Sequence, residues 1–374
     1  MRSKPGDDSG ARGLHDRRPR PPRHPASGNA PGGYQPKGRL MKLARIHGPD
    51  ELRLDEVPEP EPGPDDALLE VAACGICGSD VGYLRIGGLM GPTPDPMPIG
   101  HELAGTVIAK GDRVNGIEIG ARVALDPLAA GHALGNGGTE GGFTTRLLVR
   151  GASQGKSLFP IPDDLSFEAA ALAEPLGVGM NAVDRVHVEP GDRVAVLGAG
   201  PIGLTAIATL IDRGIEDVVA VDLSETRLEI ARKLGARKTI RSETEDPWEG
   251  LARAHGTESF FGAPLPRTNV FIEATGSAPL LADVIERSAP KSRISIVGLH
   301  RAELPVSFMT VMVKQLNLQG AMAYPDRFED TIELLSRHDL TKMITHRFPL
   351  DDLQEAFAVA RSPEAGAKVM IEIA

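Results

Sequence analysis

The sequence predicts an α/β protein with a doubly wound parallel sheet set inside a mainly β region. Three observations predict it. After Pro190-Gly191-Asp192, short apolar runs alternate regularly with helical periodicity. The first of those runs leads straight into a glycine-rich GxGxxG turn and then a helix. The stretch before them, from Met41 to about residue 150, reads instead as short strands separated by turns rich in Pro, Gly and Asp.

Element by element, strands are expected over 42–46, 52–57, 67–73, 103–109, 122–125 and 143–149, with a glycine-rich loop over 129–142. Residues 166–185 are apolar at helical spacing, with Ser166 as N-cap and Glu168 in the first turn, and predict a single helix. The run 193–197, helix 202–211, run 218–221 and helix 225–234 make a βαβ unit. Further buried runs at 269–273, 293–297 and 316–319 extend the parallel sheet to about six strands. Helices over 328–336 and 353–360 and a last strand over 368–373 complete the chain.

A chain of 374 residues allows two or three domains and a large buried core. With 41% hydrophobic and 25% charged residues it is globular in composition rather than disordered or fibrous. No stretch approaches the ~18 consecutive apolar residues of a membrane span, and no apolar signal core follows the charged N-terminus, so a cytoplasmic protein is expected. The net charge of −10 hides an asymmetry. Residues 1–40 carry nine Lys or Arg against three Asp, with seven Pro and seven Gly, and are expected to be a disordered basic tail or upstream extension ahead of Met41. The remainder, at −16, would repel phosphate backbones, which argues against nucleic acid as a partner of the folded part.

Gly198-Ala199-Gly200-Pro201-Ile202-Gly203 follows an apolar strand and opens a helix, the context a dinucleotide fingerprint requires. Gly198 permits the tight turn, Gly200 lets the backbone approach a pyrophosphate, and Gly203 lets helix and strand pack closely, while the helix N-terminus attracts the anion. Asp222, at the end of the second strand, can accept hydrogen bonds from the adenosine ribose and would repel a 2′-phosphate, which favours NAD over NADP. Arg227, on the following helix, either stacks on the adenine or is a solvated helix residue.

The only two cysteines, Cys74 and Cys77, form a CxxC that ends a β meander, which suits neither a thioredoxin-type pair nor half of a four-cysteine zinc site. Downstream come Gly100-His101-Glu102 and Glu174-Pro175-Leu176. A thiolate, an imidazole and a carboxylate are suitable zinc ligands, and three of them leave a position open for water or substrate.

The segments CGICGSD (Cys74 to Asp80), GHE (Gly100 to Glu102) and EPL (Glu174 to Leu176), followed by the GxGxxG, resemble the zinc-dependent medium-chain dehydrogenase/reductase superfamily. They are most similar to its sorbitol, threonine and butanediol dehydrogenase branch. The resemblance spans about 41–374 and implies a Rossmann doubly wound sheet (188–322) inserted in a GroES-like catalytic domain (41–187, with a return over 323–374). It implies Cys77 and His101 as zinc ligands, Glu102 as a ligand or immediate neighbour, and Glu174 as a carboxylate bound directly or through water. Ser79 would relay the alcohol proton and Asp80 would orient His101 from behind, while Cys74 would pack as a small hydrophobe.

Two departures stand out. Gly82 occupies the place where the branch commonly carries a relay histidine, and the lobe that often holds four cysteines and a structural zinc is here a short, cysteine-free 126–142. One catalytic zinc per subunit is therefore expected. The implied reaction passes a hydride between a secondary alcohol and NAD, with a polyol, sugar-derived alcohol or vicinal diol as substrate and a homodimer or homotetramer as the assembly. An NADPH-linked carbonyl or quinone reductase and a non-catalytic dinucleotide-binding protein on the same scaffold are the alternatives.

Overall fold

The structure is a computed structural model that describes residues 38–362 and 366–374; the expectation of a disordered tail falls almost wholly outside them. Strands Leu40–Gly48 and Glu51–Pro58 form a tight antiparallel pair, joined by the short strand Met97–Pro98. A larger sheet has the order Ile344–Pro349, Lys368–Glu372, Ala67–Gly75, Glu102–Lys110, Arg122–Leu125 and Leu158–Pro160, and Arg146–Val149 also pairs with Ala67–Gly75. The last strand of the chain thus lies against the third, with Ile371 opposite Cys74, while Gly75 faces Glu102 on its other side. That register sets residues 75, 102 and 371, far apart in the chain, side by side within the sheet.

The parallel sheet has six strands in the order Lys238–Arg241, Asp217–Asp222, Arg193–Leu197, Val270–Glu273, Arg293–Ile296 and Asn317–Gly320. Its strands are apolar without alternation because both faces are covered. Val194, Val196, Val218 and Ala220 join the core on one face, and Ala195, Leu197, Val219 and Val221 the core on the other. The strand order reverses beside Arg193–Leu197, and ligands of such sheets bind outside the carboxyl ends at that switch point. No helix among the described residues is long and apolar enough to cross a membrane.

Several local expectations need correcting. The helix expected over 166–185 is two helices, Phe167–Ala171 and Ala173–Asp184, with Ser166 capping the first by accepting from the Ala169 amide. Pro175 explains the break, since it has no N–H for the Ala171 carbonyl and its ring crowds that carbonyl. Residues 78–86 form a helix where only strands and loop were expected. Strand Lys238–Arg241 lacks an apolar run because it is an edge strand with only Ile240 buried.

Candidate metal and dinucleotide site

The strand Ala67–Gly75 ends at the CxxC, and Cys77 caps the helix Gly78–Ile86. Asp80, fully buried in the first turn, accepts the Cys77 amide at 3.0 Å and the Gly100 amide at 3.3 Å. One carboxylate therefore ties the helix start to the segment carrying the next two site residues. Gly100 has φ 94°, and a Cβ there would stand 2.7 Å from the Phe143 ring, so the turn that delivers His101 requires glycine.

His101 and Glu102 are both buried, and ligand atoms of Cys77, His101 and Glu102 lie within 4.8 Å of one another. Asp80 Oδ1 is 3.5 Å from His101 Nδ1, beside it but without a hydrogen bond, and that nitrogen has no partner among the described residues. Burial alone would lower the His101 pKa. The Asp80 carboxylate and the Cys77 sulfur raise it, and they win by a wide margin. Cys74 packs in the core, where burial, and then Asp80 and Glu102, push its thiol well up and keep it neutral.

Glu174, from the first turn of Ala173–Asp184, lies outside the set of three. The Tyr324 hydroxyl donates to its Oε1 at 2.7 Å, and burial, opposed by His101 and reinforced by Glu102, lifts its pKa to about 7. Glu102 makes a fully buried ion pair with Lys368, whose ammonium also donates to the Ile76 carbonyl at 3.0 Å. Burial opposes charge on Lys368, but Glu102 and Cys77 outweigh it and hold the pKa above the ordinary lysine value. Sequence reasoning missed Tyr324 and Lys368. Lys368 had a signal: a charged residue opening the otherwise apolar run Val369 to Ile371 must have a buried partner.

Cys77, Asp80, Glu102 and Glu174 thus converge around a single lysine and a histidine. The upward shift of His101 expresses that acid excess, while that of Glu174 comes first from burial and then from Glu102, and a divalent cation would relieve the crowding of negative groups. A thiolate, an imidazole and a carboxylate with room for a fourth partner fit zinc. Ser79, two residues past Cys77, has a buried Oγ without a hydrogen-bond partner among the described residues.

Across the cleft, Gly198 turns with φ 93°, and a Cβ there would stand 2.8 Å from Thr275. Gly203 packs directly on the Gly198 carbonyl, whereas a Cβ on Gly200 would meet nothing within 4 Å, leaving open space before the helix that Pro201 begins. Ile202 follows in its first turn. The Asp222 carboxylate accepts the amides of Ala199 at 2.6 Å and Ser224 at 2.8 Å, which fixes it at the end of its strand beside the glycine loop. Arg227 is not simply solvated: its Nε donates to the Gly366 carbonyl at 2.9 Å. A cleft of about 140 Å³ is lined by Cys77, Gly78, Val81 and Gly366 on one side and Pro201 and Arg227 on the other. The CxxC helix and the glycine loop therefore share one space.

Comparisons with known proteins agree with that architecture. The alcohol dehydrogenase GroES-like domain model matches residues 63–163, and the zinc-binding dehydrogenase model matches 201–337. Sorbitol dehydrogenase of Gallus gallus is 34% identical over 348 residues, covering 87% of this chain and 95% of that protein. Among solved structures, 2R,3R-butanediol dehydrogenase of Bacillus subtilis superposes with a TM-score of 0.76 at 29% identity, covering 89% of this chain and 99% of that one. A zinc-binding dehydrogenase of Sinorhizobium meliloti 1021, solved with NADP, has a TM-score of 0.77 at 27% identity and covers 89% and 99%. With both domain models matched in order and a relative this similar over nearly its whole length, the chain belongs to the zinc-dependent alcohol and polyol dehydrogenases of the medium-chain dehydrogenase/reductase superfamily.

Proposed function

We propose that the protein oxidises a secondary alcohol of the polyol, sugar-derived or vicinal-diol class with NAD, using one zinc per subunit. The observation that carries this reading is the convergence of Cys77, His101 and Glu102 within 4.8 Å, with Cys77 on a cleft that Pro201 and Arg227 line from the dinucleotide side. When bound there, zinc supplies Lewis-acid polarisation of the alcohol oxygen and NAD accepts the hydride, so that the products are a ketone and NADH.

The chain's own residues do the rest. Cys77, His101 and Glu102 hold the metal, with Glu174 beside them, acting through water. Asp80 holds the helix start and faces His101. Ser79 Oγ, buried and without another partner among the described residues, takes the substrate's hydroxyl proton while passing on its own. With Gly82 beyond it in place of an imidazole, the proton continues to solvent through water. The two cysteines of the chain cannot make a second, four-cysteine site, which supports a single zinc. NAD rather than NADP is supported by Asp222, whose carboxylate is fixed where an adenosine ribose would lie. A homodimer or homotetramer is part of the proposal: the outer strand Asn317–Gly320 pairs on one side only among the described strands, and Phe308, Met309 and Met312 are exposed beside it.

Zinc-loaded protein assayed for NADH formation on a panel of polyols, vicinal diols and simple secondary alcohols, with NAD and NADP in parallel, tests the proposal. The expected result is turnover of at least one panel member, with NAD preferred. Activity confined to carbonyl reduction with NADPH would overturn it.

A further inference from the structure

The side chain missing at position 82 leaves a space that Arg301 fills. Gly82 lies one turn after Ser79 on the helix Gly78–Ile86, so the two share a face. A guanidinium nitrogen of Arg301 stands 2.6 Å from where a Cβ on Gly82 would be, and any side chain at 82 would displace it. Arg301 comes from the opposite wall, in the segment after strand Arg293–Ile296, at the carboxyl edge of the parallel sheet. It therefore reaches across the cleft to the helix that carries Ser79. Unlike Arg337, paired with Asp212, and Arg347, paired with Glu168, it makes no ion pair or hydrogen bond among the described residues. Arg301 is exposed and its charge is met by water, so the guanidinium is free to take an anionic ligand that enters the cleft beside Gly82.

Its role is not to relay a proton, because a guanidinium stays protonated throughout the working pH range and cannot pass one on. What it does well is hold an oxyanion with two parallel hydrogen bonds. We propose that Arg301 anchors a carboxylate or phosphate of the substrate, so that the preferred substrate is an acid or phosphate ester of a short polyol rather than a neutral polyol. This rests on the dehydrogenase reading above and names its substrate class.

The test uses a hexitol, its terminal phosphate ester and the corresponding aldonic acid, with zinc-loaded parent, Arg301→Leu and Arg301→Lys. kcat/KM with NAD is measured for each compound, as is binding of each compound to the NADH-loaded enzyme by calorimetry. In the parent one anionic member is preferred over the hexitol by about 10- to 100-fold. Arg301→Leu erases that preference through KM, and Arg301→Lys restores part of it as a point charge. Gly82→Ala, by displacing the guanidinium, reduces the preference several-fold with no change of charge. Whether the phosphate or the acid wins identifies the oxyanion. Equal treatment of all three compounds by the parent, or a preference that survives in Arg301→Leu, overturns the proposal; so does a loss of NADH affinity in that variant without loss of anion preference, which would assign the guanidinium to the cofactor. Absence of NADH formation from every alcohol overturns the dehydrogenase reading instead, and calorimetry still decides the anchor by whether Arg301→Leu loses the anion.

Discussion

Gly198, Gly200, Gly203, Asp222 and Arg227 all fall between 198 and 227, within one continuous strand–turn–helix–strand–helix run, 193–233. The metal side of the cleft is assembled from four separate segments: the helix start at Cys77 and Asp80, the strand start at His101 and Glu102, Glu174 on a helix, and Lys368 on the last strand. Glu102 and Lys368 are 266 residues apart in sequence yet share a buried ion pair. A site closed over short turns depends on its local backbone. A site closed over the whole chain depends on the sheet that brings its ends together, so damage to the two sides should have different signatures.

The largest contrast is expected from Cys77→Ser. Removing a metal ligand forfeits Lewis-acid stabilisation of several kcal/mol, which at 1.36 kcal/mol per decade lowers turnover by ~10³-fold or more. NADH binding, followed by fluorescence titration, should persist, because no ligand of the metal set belongs to 198–227. Parent-rate oxidation by this variant would show that the ligand assignment is wrong.

Lys368→Met probes the long-range closure. It leaves Glu102 buried without its cation, which costs about 3–5 kcal/mol and should depress the thermal midpoint clearly. In zinc-free protein, where Lys368 is the one cation against Glu102, adding Glu102→Gln should return part of that loss, since the unpaired charge is then gone. Additive losses in the double variant would argue that the two side chains are not coupled.

On the local side, Asp222→Ser should change cofactor choice while zinc content stays at the parent level. A 2′-phosphate against Asp222 is repelled by an amount on the order of a few kcal/mol, so the parent should prefer NAD by roughly 10²-fold in kcat/KM. The variant should lose NAD use and gain NADP use. Equal use of both cofactors by the parent would contradict the role given to this carboxylate.

The smallest effect concerns the join between the parallel sheet's helices and the C-terminal segment. Arg337 bonded to Asp212, against some burial and with help from His338, holds that carboxyl below its ordinary pKa. A depressed carboxylate stabilises the fold above its unfolded pKa of about 4, and the contribution is lost as pH falls through the lower folded value. Because Arg337 is half exposed, Asp212→Asn should cost under about 1 kcal/mol at pH 7. The gap between parent and variant should close in acid; a gap that widens as pH falls would reverse the sign of the linkage.

The same contrast governs what could be read from the sequence. The inner parallel strands were legible because burial on both faces makes them continuous apolar runs, and the glycine loop because its spacing is local. Lys238–Arg241 escaped because an edge strand has little apolar character. The hairpin Thr257–Phe260 with Ala263–Pro266 escaped because two prolines break the strand pattern, which is tolerated in a pair outside the main sheets. On the metal side, short motifs singled out Cys77, His101, Glu102 and Glu174, and the structure brings the first three within 4.8 Å of one another. Tyr324 offered no local signal at all, since only the fold brings it to Glu174. Arg301 was invisible for the same reason, although Gly82 marked the space it occupies.

The central claim, that alcohol oxidation depends on one zinc held on the wall opposite the dinucleotide loop, is tested most directly by metal stoichiometry coupled to turnover. Purified protein is analysed for zinc by mass spectrometry, stripped with a chelator and reloaded, with alcohol-dependent NADH formation and NADH binding measured at each stage. The account predicts about one zinc per chain, NADH formation lost on stripping and restored by zinc, and NADH binding retained throughout. Two tightly held zincs per chain, or undiminished NADH formation by the metal-free protein, would contradict it.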